Sequence, residues 1–352
     1  MSGNTLDYIS ISGFKSIAAI ERLHLRPINI LIGPNGSGKS NFIGAFSFMQ
    51  KIQEGELTDY VKRAGGADKV LHFGSKASPE IYLRCTFING GHFTIRLGPT
   101  ADDSLYLIPN LKVVHKAAAF FEAEFPEGGD FIGTRMSGWR VYHLHDTSDS
   151  SPMRKTAEVH DNRFLRADAS NLAAVLYYLQ QKHPSQYGLI RSVIQRVAPF
   201  FDDFKLEPLL LNPDTIQLEW RHRNSDQYFG ASSLSDGTLR FIALATLFLQ
   251  PLESRPSVIL VDEPELGLHP AAIEMLASLI KQASVETQVI VSTQSSLLLD
   301  HFEPEDVLVA ERRRGATQLE RLTSIQLADW LHEYSLGQLW EKNEIGGRPG
   351  PD

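Results

Sequence analysis

Alternating hydrophobic and polar positions predict several strands in the first hundred residues. The stretch "LDYISISGF" alternates in this way, and "INILIG" is a compact apolar strand that runs into glycines. The segments "EIYLRCTFI" and "GHFTIRLG" flank Asn89, Gly90 and Gly91, which predicts a β-hairpin. A helix is expected to begin near Gly38 and to run through "KSNFIGAFSFMQKIQ".

The last third of the chain alternates between helical and strand patterns. The helical stretches "TLRFIALATLFLQ" and "AAIEMLASLIKQ" are interleaved with the strands "SVILVDE", "TQVIVST" and "DVLVAER". This order is typical of a parallel sheet with helices on its faces. The predicted fold class is therefore α/β, with a mixed, largely parallel sheet.

The middle of the chain differs in character. From about Thr100 to Asp161 it is rich in Gly, Asp, Ser and Pro, with one helical island, "VVHKAAAFFEAEF". Residues 170–198 predict two helices that are separated by Pro184. We therefore predict a head built from residues 1–99 and 203–352, with residues 100–202 inserted as a mostly helical lid or docking segment.

Composition and charge narrow the class of protein. The chain has 352 residues, 42% of them hydrophobic, which is enough to bury a core without disulfides. The single cysteine, Cys85, is expected to be a buried strand thiol. With neither a signal peptide nor an apolar run long enough for a membrane helix, we expect a cytoplasmic protein. The net charge of −8 restricts DNA binding to a local patch, a dimer or a partner.

A phosphate-binding loop is the most specific motif. Residues 33–40, "GPNGSGKS", match G-x-x-x-x-G-K-[ST] at every fixed position, with a strand before and a helix after. The glycines let backbone N–H groups converge on phosphate oxygens, and the helix N-terminus adds positive potential. Lys39 is expected on the β- and γ-phosphates of ATP and Ser40 on Mg²⁺. The predicted nucleotide-binding residues are Asn35, Gly36, Ser37, Gly38, Lys39, Ser40 and Asn41.

Two carboxylates end the apolar strand in "SVILVDEPELGLHP". Asp262 and Glu263 are successive residues, so their side chains point to opposite sides. They stand at the carboxyl end of the strand, where α/β sheets place ligands. We predict that Asp262 holds Mg²⁺ together with Ser40, and that Glu263 orients or deprotonates the attacking water.

A third element opens the long amphipathic helix after "SSLSDGT". Taken alone it is a helix N-cap, with Ser235 or Asp236 as the capping residue. Because it lies shortly before the strand that carries Asp262, it resembles the LSGGQ-type signature of ABC ATPases.

Together, "GPNGSGKSN", "LSDGTLR" and "VILVDEPELGLHP" resemble the ABC/SMC superfamily, specifically its RecF-like and OLD-like branch. "ISISGFKSI" is also similar to that branch, and "YSLGQLWEKNEIGGRP" resembles compact ATPases found beside bacterial defence genes. The resemblance implies a head-to-tail homodimer with two ATP molecules between the heads. Ser235, Asp236 and Gly237 would form the signature, with Ser235 and the Gly237 N–H on the γ-phosphate held by the other chain's Lys39. Residues 266–269 would form the D-loop between the two sites.

Two positions depart from the wider class. Asp236 replaces a glycine of the signature, and we expect its carboxylate to cap the helix. Gln294 stands where the class has a switch histidine, and it can donate an amide N–H but cannot carry charge. This predicts a catalytic role in slow hydrolysis that depends weakly on mildly acidic pH. No Q-loop glutamine can be assigned, because Gln50 and Gln53 lie too early.

One further cluster could suggest a metal site. "VYHLHDTSD" contains His143, His145 and Asp146, with His160 and Asp161 nearby. Alternate histidines on a strand share one face, but the set has no recognised ligand spacing. We interpret it as a polar strand in the inserted segment.

Three hypotheses of function follow. The first is a standalone ATPase switch whose ATP-bound dimer licenses a separately encoded effector, for example a TOPRIM-like nuclease in bacterial defence. The second is a RecF-like DNA-binding ATPase of DNA repair. We interpret the charged run 311–314 as a solvated hairpin turn, with a contact to the DNA backbone as the alternative. The third, a transporter motor, fits less well because transporter ATPases carry LSGGQ and a switch histidine and couple to membrane partners.

Overall fold

The computed structural model describes residues 5–88, 90–108, 122–124, 136 and 138–346. The strands within this part of the chain are Leu6–Phe14 (β1), Ile17–His24 (β2), Ile28–Ile32 (β3), Ile81–Phe87 (β4), His92–Pro99 (β5), Leu105–Leu107 (β6), Glu122–Glu124 (β7), Trp139–Tyr142 (β8), Ala157–Glu158 (β9), Phe201–Lys205 (β10), Pro208–Leu209 (β11), Asn212–Ile216 (β12), Glu219–His222 (β13), Tyr228–Gly230 (β14), Val258–Asp262 (β15), Gln288–Ser292 (β16), Val307–Arg313 (β17) and Ala316–Arg321 (β18). The α-helices are Lys39–Gln53 (α1), Leu57–Ala64 (α2), Ala67–Val70 (α3), Leu172–Lys182 (α4), Pro184–Val197 (α5), Asp236–Leu249 (α6), Pro270–Ala283 (α7), Ser296–Leu299 (α8) and Leu336–Lys342 (α9).

A largely parallel sheet forms the centre of the fold, as predicted. Its strand order is β18-β17-β3-β16-β15-β8, and only the β17–β18 pair is antiparallel. Asp262 of β15 lies beside Ser292 of β16, and Val261 lies beside Tyr142 of β8. The carboxyl ends of β3, β8, β15 and β16 therefore meet at one edge of the sheet.

The central strands bury both of their faces, which explains their unbroken apolar sequences. Ile30 and Val261 belong to a core that also contains α4, α5, α6 and α7. The neighbouring residues Leu31 and Leu260 belong to a second core, shared with α1 and the antiparallel sheet. The helix after the phosphate-binding loop and the helix after the signature consequently lie on opposite faces of the central sheet.

The antiparallel sheet confirms the predicted hairpin. Its order is β2-β1-β4-β5-β6, with β7 also pairing with β5. β4 and β5 pair from Ile81 opposite Leu97 to Thr86 opposite His92. Cys85 is fully buried in this sheet, as predicted, and burial raises the pKa of its thiol.

The inserted segment confirms some expectations and corrects others. The two predicted helices are α4 and α5, and Pro184 begins α5 at a position that needs no N–H donor. β8, however, lies inside residues 100–202 and is a strand of the central sheet, so the predicted boundary does not hold there. Of the predicted helical island, residues 122–124 form β7 instead, and the rest lies outside the described residues. No helix in the described part of the chain is both long and apolar enough to cross a membrane.

Candidate active site

The phosphate-binding loop turns sharply between β3 and α1. Gly33 and Gly38 have φ angles of 147° and 103°, in the region that favours glycine. A Cβ atom on Gly33 would lie 2.2 Å from the carbonyl oxygen of Ala310, and one on Gly38 would lie 1.9 Å from Thr317 Oγ1. The atoms of Ala310 and Thr317 therefore leave no room for a side chain at either position.

Lys39 is folded over the loop at the start of α1. Its side chain is buried, and Nζ donates hydrogen bonds to the carbonyl oxygens of Gly33 (2.7 Å) and Pro34 (3.1 Å). Burial lowers the pKa of Lys39, an effect that the nearby carboxylates, Glu263 foremost, partly offset. The hydroxyl of Ser37 is also buried and has no hydrogen-bond partner among the described residues. An orphaned donor and a close lysine suit a phosphate group.

Asn41 supports the loop from a different direction. Its Nδ2 donates to Ser16 Oγ (2.8 Å), and Ser16 Oγ is hydrogen bonded to Thr317 Oγ1 (2.7 Å). Thr317 Oγ1 in turn donates to the carbonyl oxygen of Ser37 (2.9 Å). Asn41, which was predicted to bind nucleotide, thus joins a chain of hydrogen bonds through Ser16 and Thr317 that links the loop to β18.

Oxygen ligands for Mg²⁺ meet where the loop faces β15. Ser40 Oγ donates to Asp262 Oδ2 at 3.2 Å, and Ser292 Oγ contacts the other carboxylate oxygen. Hydroxyl and carboxylate oxygens are the donors that Mg²⁺ prefers. The structure therefore brings together the two residues predicted to hold the ion.

Glu263 and Gln294 also come together, across the ends of β15 and β16. Gln294 Nε2 donates to Glu263 Oε1, and the Glu263 N–H donates to the carbonyl oxygen of Ser292 (2.9 Å). Glu263 has a φ of 43°, an uncommon conformation for a non-glycine residue that tends to occur at functional sites.

Glu265 was not singled out from the sequence, yet it positions Gln294. Its Oε1 accepts hydrogen bonds from Thr293 Oγ1 (2.6 Å) and from the Gln294 N–H (3.0 Å). The side chain is buried, and desolvation raises the pKa of its carboxyl, against the lowering effect of the Thr293 hydrogen bond. The only sequence signal for it was its place two residues after Glu263.

We expect the Gln294→Ala variant to hydrolyse ATP about 100-fold more slowly, because one oriented donor to a transition state is commonly worth about 3 kcal/mol. Gln294→His replaces the amide N–H donor with a ring N–H donor and is expected to keep or raise the rate. Steady-state phosphate release measures both. Equal rates for the wild type and the alanine variant would reduce Gln294 to a packing residue.

The signature residues open α6 at the surface. Ser235 is the N-cap, and its Oγ accepts from the Thr238 N–H at 3.2 Å. Asp236 does not cap the helix, contrary to expectation, because its Oδ1 pairs with Arg154 at 2.8 Å. A Cβ atom on Gly237 would lie 2.2 Å from the carbonyl oxygen of Gly267. Glycine at this position therefore lets the signature pack against residues 266–269.

The structure corrects the interpretation of the histidines. His143 and His145 follow β8 and lie at the sheet edge that carries Asp262, the active-site edge. One ring nitrogen of each histidine and one carboxylate oxygen of Asp262 all lie within 4.8 Å of one another. Desolvation by neighbouring atoms lowers the pKa of His143, more than the Asp262 carboxylate raises it. The polar strand predicted for the inserted segment is thus part of the active-site edge.

The other members of that predicted cluster are engaged elsewhere. Asp146 Oδ1 accepts from Ser148 Oγ at 2.6 Å, and His160 lies 3.8 Å from Asp214. Asp161 pairs with Arg166 at 2.5 Å. Gln50, which was too early in sequence for a Q-loop, donates to the carbonyl oxygen of Trp139 at 2.5 Å and so ties α1 to β8.

The fold and the arrangement of loop and carboxylates are those of a P-loop nucleotide-binding protein. The sequence matches the family described as "AAA domain, putative AbiEii toxin, Type IV TA system" over residues 28–300, and the chain belongs to this family. No curated protein matches the sequence.

Solved structures of Smc head domains share the fold. A Smc head bound to the C-winged helix domain of ScpA has a TM-score of 0.65 and 17% identity, covering 92% of this chain and 99% of that chain. A Pyrococcus furiosus Smc head with an extended coiled coil, bound to the C-terminal domain of ScpA, has a TM-score of 0.60 and 16% identity over 94% and 99% of the two chains. The Thermotoga maritima SMC head domain has a TM-score of 0.51 and 16% identity over 91% and 99%.

Proposed function

We propose that this protein binds and hydrolyses ATP with Mg²⁺ as an ATP-sandwiched homodimer, and that the dimer is a switch for a separate effector. One observation carries the proposal. Lys39 and the Asp262–Glu263 pair belong to one edge of the sheet, whereas the exposed Ser235 begins a helix on the opposite face from α1. A site that uses both halves is therefore assembled most simply from two chains.

The half of the site that contains Lys39, Ser40 and Asp262 has the groups needed to hold the nucleotide. Lys39 would exchange its two carbonyl partners for phosphate oxygens, which form stronger, charge-assisted hydrogen bonds. Ser40 and Asp262 would hold Mg²⁺, which neutralises charge that develops on the transferred phosphoryl group. These residues bind and orient ATP but do not activate water.

Hydrolysis would depend on the second pair. Glu263 would accept a proton from the attacking water, a role that suits a carboxylate within reach of the γ-phosphate. Gln294, already bonded to Glu263 and anchored through its N–H by Glu265, would orient that water or the γ-phosphate. Catalysis would therefore depend on Glu263 and Gln294.

The partner's signature would complete the site. Ser235 is exposed, and the N-terminus of α6 carries positive potential, which favours an anion. Asp236 would oppose this with its negative charge, but Arg154 neutralises it. Ser235 and the Gly237 N–H can therefore contact a γ-phosphate without a net repulsion.

An effector that senses the dimer is the remaining part of the proposal. The strongest motifs all serve the nucleotide, so a change of conformation has effect only if another protein responds to it. The Smc head bound to a domain of ScpA is an example of a related fold that binds a partner. Leu210 and Leu211, at the turn between β11 and β12, are 98% and 101% exposed and offer an apolar contact. β12 pairs with β9 of the inserted segment, which we propose as the docking region.

A RecF-like role on DNA is the second candidate. Arg312 and Arg314 lie exposed at the β17–β18 turn, whereas Arg313 pairs with Glu311 at 2.7 Å. Such a small patch predicts weak binding with a shallow salt dependence, because it can neutralise only a few phosphates. A titration of duplex DNA against salt, with and without ATP, tests it.

We expect the purified protein to hydrolyse ATP slowly and to leave DNA intact. Incubation with plasmid and phage DNA in ATP and Mg²⁺ or Mn²⁺ is the measurement, followed by gel electrophoresis. Cleavage should appear only after addition of an effector. Cleavage by the pure protein that disappears in an identically prepared Lys39→Ala variant would instead make this chain the nuclease.

A further inference from the structure

Two imidazoles face the metal-binding carboxylate from the neighbouring strand. His143 and His145 are two residues apart just after β8, so they project to the same side, with ring centroids 6.5 Å apart. β8 runs parallel to β15 with Tyr142 opposite Val261, which brings the residue after Tyr142 level with Asp262. One nitrogen of each ring and one oxygen of Asp262 lie within 4.8 Å of one another.

The backbone of this histidine segment is held in place. The His143 N–H donates to the carbonyl oxygen of Ala167 at 2.9 Å. The buried guanidinium of Arg240, in α6, donates to the carbonyl oxygens of Leu144 (2.8 Å) and His145 (3.0 Å). To bind a tetrahedral ion with bonds of about 2.0 Å, the three ligand atoms would close from within 4.8 Å to about 3.3 Å of one another, a movement that falls to the side chains because the backbone is held.

The chemistry of the three donors selects the kind of ion. Mg²⁺ takes oxygen ligands, and Ser40 with Asp262 already provides them. Imidazole nitrogen suits zinc and other transition metals, for which two histidines and one carboxylate form a common three-ligand set that leaves one position open. That open position would face water or a phosphate oxygen.

We propose that His143, His145 and Asp262 bind a divalent transition-metal ion such as Zn²⁺ or Co²⁺ beside the phosphate-binding loop. This site deepens the proposed function and rests on it, because it takes Asp262 to be a metal-binding residue. It adds an ion whose binding needs neither ATP nor a second chain. Metal binding by the nucleotide-free protein therefore tests it separately.

Titration of the nucleotide-free protein with Co²⁺, followed by visible absorption, is the experiment. We expect one Co²⁺ per chain, with a d–d absorption band and a dissociation constant in the micromolar range. His143→Ala and His145→Ala should each weaken binding at least tenfold and reduce the band. Both side chains are exposed, so neither change should unfold the protein, which circular dichroism can verify.

Two further variants make the result specific. His160→Ala removes an exposed histidine elsewhere in residues 100–202 and is expected to bind Co²⁺ like the wild type. Lys39→Ala should lose ATP binding but retain Co²⁺, so a failure of the nucleotide site and a failure of this metal site are distinguishable. The inference is wrong if the wild type shows no saturable Co²⁺ binding at about 100 µM. It is equally wrong if the His143→Ala and His145→Ala variants bind as tightly as His160→Ala.

Discussion

The Lys39→Ala variant is expected to bind ATP at least about 100-fold more weakly than the wild type, because hydrogen bonds to charged groups contribute about 1.5–3 kcal/mol each. Lys39 is the buried cation of the loop. Its Nζ donates to carbonyl oxygens of Gly33 and Pro34, which the phosphate oxygens of ATP would replace as acceptors. Isothermal titration calorimetry measures the loss. Lys51→Ala is the matched control, since Lys51 lies on the same helix but pairs with Glu54 at the surface. Equal affinities for the two variants would contradict the assignment of Lys39.

The same variant also tests the signature in trans. Ser235→Arg should keep ATP binding and lose hydrolysis, because it obstructs only the contact that one chain makes with its partner's nucleotide. A mixture of Lys39→Ala and Ser235→Arg chains can form heterodimers with one intact site, so activity should reappear on mixing. A mixture no more active than its components would show that Ser235 does not act across the dimer.

The Glu263→Gln variant is expected to hydrolyse ATP about 10²–10⁴-fold more slowly while binding it normally, as loss of a general base predicts. Glutamine keeps an oxygen that can accept from Gln294 Nε2, and the Ser40–Asp262 pair is untouched. Single-turnover hydrolysis and ATP titration separate the two effects. Glu274→Gln, an exposed change on α7, is the control. Hydrolysis within threefold of the wild type would exclude Glu263 as the base.

Local patterns predicted the parts of the fold that depend on neighbours in sequence. The loop from Gly33 to Ser40 follows from its own glycines and the flanking strand and helix, and the β4–β5 hairpin follows from two alternating segments around a short turn. The Ser40–Asp262 pair was also predictable, because both motifs mark the same edge of a parallel sheet.

Pairings between distant segments were not predictable. β8 has only four residues within a Gly- and Pro-rich stretch, so its sequence alone does not reveal that it joins β15. For that reason the histidines after it were placed in the inserted segment and not beside Asp262. The Asp236 carboxylate was expected to cap its helix because Arg154, 82 residues earlier, carries no local sign of being its partner. Glu265 was missed for a similar reason, since its importance depends on burial against β16.

The most direct test of the ATP-sandwiched dimer is light scattering of Glu263→Gln at micromolar concentration. With ATP and Mg²⁺ the account predicts a mass of about two chains, because binding is retained and the hydrolysis that would release the dimer is removed. With ADP, or with Ser235→Arg added to the same chain, it predicts a monomer. A Glu263→Gln protein that binds ATP yet remains a monomer would contradict the account.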